Sequence, residues 1–151
     1  MKQWKKQIEI HTPIEQVWML FDGSLDHMQQ IMPQVIENRP IKVTPEVVGS
    51  VYRQKYKEGK RIEEYDVTTL AYLSEPEEKK LKVSFTLANM FEITALYELS
   101  KRSDTETLFQ YTVTNRPLKW FVTFFLWFAS DKIVVTFLER VKHVAESRKY
   151  I

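Results

Sequence analysis

Cysteine is absent from this chain of 151 residues, which excludes disulfides, thiolate nucleophiles and thiolate metal ligands. A cytoplasmic location fits that composition and is the expectation here. Glycine is nearly as scarce. Gly23, Gly49 and Gly59 stand alone, so there is no loop to cradle a phosphate and no dinucleotide fingerprint. With six prolines and no repeat or low-complexity tract, the composition also argues against a flexible linker and for one domain over residues 1–151. Neither sign of charge dominates: 22 basic residues face 20 acidic ones, for a net charge of +2, and no long block of like charge occurs. That is a solvated surface and not a nucleic-acid footprint. The three histidines, His11, His27 and His143, have no close metal-ligand spacing to one another or to acids. No metal and no cofactor are therefore expected. The N-terminus, MKQWKKQIEIHTP, alternates and lacks the apolar core of a signal peptide. The longest apolar stretch, Leu118 to Ala129, is 12 residues interrupted by Lys119 and Thr123. As a helix it would reach about 18 Å, against roughly 30 Å of hydrocarbon.

Rings are what the chain has in abundance. Trp120, Phe121, Phe124, Phe125, Trp127 and Phe128 crowd into one short segment. At 100° per residue they cannot share one helix face, so those outside the core need a second apolar environment. A homodimer contact or a peripheral membrane contact would supply one, through Trp120, Phe124 and Trp127. The pattern places a long helix over Leu118–Arg148, with Ile133, Val134, Phe137, Leu138, Val141, Val144 and Ala145 on its apolar side. A bend is expected near Ala129–Asp131, with Ser130 or Asp131 re-capping the second part.

Upstream, residues 2–10 alternate as a strand. Thr12, Pro13 and Glu15 have the spacing of a capping box opening a short helix with Ile14, Val17, Trp18 and Phe21 on its stripe. A second short helix is expected over 25–31. Six strands follow at about 35–43, 50–57, 62–73, 80–87, 91–100 and 106–114, joined by short polar turns. Short turns between consecutive strands imply an antiparallel sheet, and one long helix must cover it. The fold class is α+β, a curved seven-stranded antiparallel sheet around a long C-terminal helix.

The helix start Thr12 to Trp18, the run Met32-Pro33-Gln34-Val35, the approach to a strand at Gly49, and the segments Glu64–Thr68 and Thr105–Thr114 together resemble the helix-grip superfamily of START-related and pollen-allergen-like proteins (SRPBCC). The resemblance is nearest to its polyketide cyclase/dehydrase and lipid transport branch and covers residues 2–148. It rests on element order and implies lipid or hydrophobic-ligand carriers and aromatase/cyclases as relatives.

Between sheet and helix such a chain can leave a cavity. Its expected lining is Tyr52, Tyr56, Phe85, Phe91, Tyr97, Phe109, Tyr111, Phe121, Phe125 and Phe128. Buried tyrosine hydroxyls need partners, so Tyr97 and Tyr111 are the informative pair. Glu64 lies on the strand after Tyr52 and Tyr56, and its face depends on the register of that strand. It is either a perturbed acid in the cavity or a surface partner of Arg53 or Lys55. Asp22, Ser24 and His27 read as a polar helix junction and not as a catalytic triad. Three functions follow. The first is non-enzymatic binding or carriage of an apolar small molecule or lipid. The second is a cyclase-like enzyme on an aromatic or polyketide-like substrate. The third is an interaction module using the exposed rings.

Overall fold

The computed structural model describes residues 1–119 and 130–148. The sheet consists of β1 (Lys2–Ile10), β2 (Val35–Lys42), β3 (Val51–Glu58), β4 (Arg61–Ser74), β5 (Glu78–Leu87), β6 (Phe91–Lys101) and β7 (Thr107–Pro117). Its spatial order is β1-β7-β6-β5-β4-β3-β2, and every neighbouring pair is antiparallel. The expected seven strands and their order along the chain are thus observed. Helices α1 (Ile14–Trp18) and α2 (Leu25–Ile31) flank a 3-10 turn, Met19–Phe21, in the connection from β1 to β2. Helix α3 (Lys132–Ser147) packs back onto the concave face of the sheet, chiefly against β1.

The core follows from the two periodicities. Val134, Phe137, Leu138, Val141 and Ala145 recur at helical spacing on α3 and are buried. They meet Ile10, Ala95, Tyr97, Leu99 and Phe109 from alternate positions of the strands, with Ile14, Val17, Leu20 and Ile31 closing the end. Ile133, counted on the apolar stripe from sequence, is 81% exposed, so the stripe begins at Val134.

Two local expectations are corrected and a third is met. The capping box does not form. Pro13 occupies the cap position and the helix starts at Ile14. Thr12 is drawn into the core, where its carbonyl accepts the Thr107 hydroxyl at 2.8 Å. Glu15 turns instead to Lys79, whose buried ammonium lies 2.9 Å away and also donates to Ser74 Oγ and the Glu75 carbonyl. A buried cation outcompetes a backbone N–H for that carboxylate. Secondly, β7 continues to Pro117, and the Leu118 N–H donates to the Met90 carbonyl, so Leu118 and Lys119 do not open the helix. The local re-capping expected before α3 comes from Ser130, whose Oγ accepts the Lys132 N–H, while Asp131 at the cap position makes no side-chain cap bond. The Asp131 carboxylate pairs with Lys6 at 3.1 Å. The ring-rich residues Trp120, Phe121, Phe124, Phe125, Trp127 and Phe128, and with them the dimer and membrane expectations, lie outside the described residues. No described helix is long and apolar enough to cross a membrane.

Candidate functional site

Strand register decides which side chains share the concave face. Leu81, Tyr97, Tyr111 and Lys6 stand side by side on β5, β6, β7 and β1. Lys79, Leu99, Phe109 and Ile8 form the next rank in one direction. Val83, Ala95, Val113 and Trp4 form the next in the other, and Phe85, Ile93, Asn115 and Lys2 follow. Phe91, Tyr97, Phe109 and Tyr111, named from sequence, therefore line one wall.

At its middle the wall is aromatic. The Tyr97 and Tyr111 rings stack 5.2 Å apart at 9°, and each hydroxyl influences the other's ionisation. Phe137 of α3 lies 4.8 Å from Tyr111, and Phe21 lies 5.1 Å from Tyr97 and 5.7 Å from Phe109. Burial, followed by the neighbouring Tyr111, holds the Tyr97 hydroxyl well above its ordinary pKa. Burial pushes Tyr111 up to about 12, although the neighbouring Tyr97 hydroxyl works the other way. Both hydroxyls stay protonated near neutrality, so this pair offers hydrogen bonds and no base.

Coverage of the wall changes along its length. Leu99 and Phe109 are fully buried, and Ala95 and Tyr97 nearly so. Beyond them Phe91, Ile93, Val83, Phe85, Tyr111 and Val113 are only half-buried. Apolar side chains at that end keep part of their surface accessible.

The wall continues onto β4 and β3 through Tyr65, which sequence reasoning missed. Its ring stacks on Phe85 at 4.7 Å, and burial, with Tyr56 and Glu63 nearby, pushes its hydroxyl up to about 12. The alternation Glu63, Tyr65, Val67, Thr69 was the available signal. Gln54 pairs in register with Tyr65, and Tyr52 and Tyr56 flank it on the same face. The Gln54 amide donates to Met28 Sδ on α2. Burial and Glu58 raise the Tyr56 hydroxyl, with Arg140 opposing them. This is the polar end expected from β3.

Glu64 stands on the other phase. It is opposite Lys55 in register, 3.9 Å from its ammonium, on the convex face. Its neighbour Glu63 has the concave phase, with a side chain 25% exposed against 47% for Glu64 and an ion pair to Arg61 at 3.0 Å. Beside them the sheet forks. The β4–β5 ladder stops at Thr68 and Ser84, and a cleft of about 650 Å³ opens there, with Glu63, Glu64, Tyr65, Phe85, Thr86 and Asn89 on its walls, so both acids border it.

Asp22, Ser24 and His27 do come together, as a junction. Asp22 accepts the Ser24 N–H and lies 2.8 Å from His27 Nδ1, while Ser24 Oγ caps α2 by accepting the His27 N–H. The serine oxygen faces backbone and not the imidazole, which is the wrong geometry for a nucleophile. His11 lies near Glu106 and His143 is exposed. Among the described residues no three His, Asp or Glu side chains cluster to hold a metal.

No family model and no curated protein sequence matches the chain. Solved structures do. Norcoclaurine synthase from Thalictrum flavum, in complex with dopamine and hydroxybenzaldehyde, matches with a TM-score of 0.68 and 13% identity, over 99% of this chain and 89% of that one. The Zhui aromatase/cyclase from a Streptomyces species matches with 0.74 and 12%, over 97% and 94%. Major latex-like protein 151 from Panax ginseng matches with 0.66 and 17%, over 97% and 95%. The chain thus has the helix-grip fold, shared by proteins named for reactions and by others whose names carry none.

Proposed function

We propose that this chain binds an aromatic small molecule against the half-buried stretch of its concave wall, between Phe85, Ile93, Tyr111 and Val113. The carrying observation is the change along β6 and β7 from fully covered residues such as Leu99 and Phe109 to incompletely covered apolar ones. Burying about 200 Å² of ligand surface there would contribute about 5 kcal/mol before ordering costs, enough for micromolar affinity. Native mass spectrometry of protein from its own cells, before and after solvent extraction, is expected to reveal an extractable adduct. Val113→Trp, which fills the same stretch of wall, is expected to lower occupancy about tenfold while the protein still unfolds cooperatively. A protein with no adduct and no affinity for two-ring aromatic probes would sink this reading.

A second reading is favoured by the synthase and the aromatase/cyclase among the structural neighbours, and by Glu63. In it the bound molecule is also turned over, with Glu63 moving a proton and the protonated Tyr65 donating a hydrogen bond to the oxygen that gains charge. Glu63→Gln is expected to cut kcat on an aromatic or polyketide-like substrate by about 100-fold with ligand affinity kept. A turnover rate unchanged in that variant removes Glu63 from the chemistry.

A further inference from the structure

The half-buried stretch of the wall carries one polar atom that nothing among the described residues satisfies. Asn115 lies on β7 between Ile93 of β6 and Lys2 of β1, two residues beyond Val113 on the same face. Its Oδ1 is sealed from water and finds no hydrogen-bond partner among the described residues. Two other side-chain acceptors share that condition, but neither sits on this stretch of wall. Gln16 belongs to α1. Asn38 is on β2, where its amide is already committed to the Gly23 carbonyl. The Tyr97 and Tyr111 hydroxyls nearby do not share that condition.

A buried carbonyl oxygen without a donor is a standing cost in the empty protein, and it is relieved only by a group that brings an N–H or O–H. Rotation about the terminal Asn torsion is soft and turns the oxygen toward an arriving group. The surroundings, Ile93 and Val113, select an apolar body for that group. We infer that Asn115 is the specificity residue for the ligand, accepting a hydrogen bond from a hydroxyl on an aromatic ring, so that the preferred ligand class is a phenol and not a bare hydrocarbon or an ether. The inference rests on the binding reading above and sharpens it.

The test is a matched pair of probes, 2-naphthol and 2-methoxynaphthalene, which share the ring system and the oxygen and differ in the donor. Wild-type protein is expected to bind the naphthol about tenfold more tightly. In Asn115→Leu the ratio is expected to fall below about twofold. Asn115→Asp, which still accepts, keeps the preference. Asn115→Leu without ligand is expected to melt no lower than wild type, because it replaces an orphaned acceptor with an apolar group. Equal affinities in wild type, a preference that survives in Asn115→Leu, or a melting point lowered by that substitution would each overturn the assignment. Equal but tight binding leaves the binding reading standing. If neither probe nor any other two-ring aromatic binds, both fall together.

Discussion

Three tyrosines behave alike for one reason. Tyr65, Tyr97 and Tyr111 have been taken out of water, and a phenolate there would lack solvation, so all three hydroxyls are held above the ordinary value of 10.0. The unfolded chain ionises them near that value. Their contribution to stability is therefore complete below pH 10 and is lost as the pH rises through about 12. Alkaline titration of phenolate absorbance is expected to find four of the seven tyrosines shifted upward, with Tyr65, Tyr97 and Tyr111 ionising after Tyr56, together with loss of near-ultraviolet circular dichroism. Ionisation of all seven near the ordinary value, with the native spectrum intact, would contradict the aromatic wall. Sequence alone singled out Tyr97 and Tyr111 through strand alternation. It could not see that Phe21 and Phe137 would enclose them, because that contact joins a turn, two strands and a helix far apart in the chain. It also had two adjacent acids to choose from. Glu63 and Glu64 differ only in phase, and a one-residue choice exchanges the faces of a sheet.

The hairpins show how elements tolerate local cost. The β5–β6 turn passes through Ala88 at φ 52° and Asn89 at φ 56°, a left-handed stretch that asparagine accepts and alanine resists. Ala88 is exposed, so nothing but backbone conformation is at stake. Ala88→Gly is expected to stabilise the protein by about 0.5–1 kcal/mol in urea unfolding. The same substitution at Ala95, buried in the middle of β6 with an ordinary strand backbone, is expected to destabilise it by about 1 kcal/mol or more. Equal effects at the two sites would mean that the turn is not strained. Element boundaries were largely legible because turn residues and alternation report local preferences. The failed capping box was not, since Glu15 was claimed by Lys79, more than sixty residues away, and no local pattern announces that.

At the scale of the whole molecule, element order constrains the architecture strongly. Seven alternating segments with short turns leave few sheets to build, and one amphipathic helix leaves few ways to cover them. Where the cover stops is a different kind of fact. It depends on the curvature of the sheet and on the fork between β4 and β5, which arise from all strands at once and are written in no single segment. The fold is also shared by proteins with different named activities, so a function has to be argued from the wall itself, from which rings enclose the tyrosine pair and which polar atom is left unpaired.

The edge strand β1 pairs only with β7: Lys2 meets Asn115, and Ile10 meets Thr107. About a hundred residues separate these partners. A ribosome adding 5–20 residues per second needs roughly 5–20 seconds to deliver the second after the first. For that interval the emerging chain holds Trp4, Ile8 and Ile10 with no ladder to join, and Thr12 without the hydroxyl that will later fasten it. The first strand of this sheet to be made is thus among the last to be placed, and the sheet's exposure to misassembly in the cell is a matter of how long that strand waits.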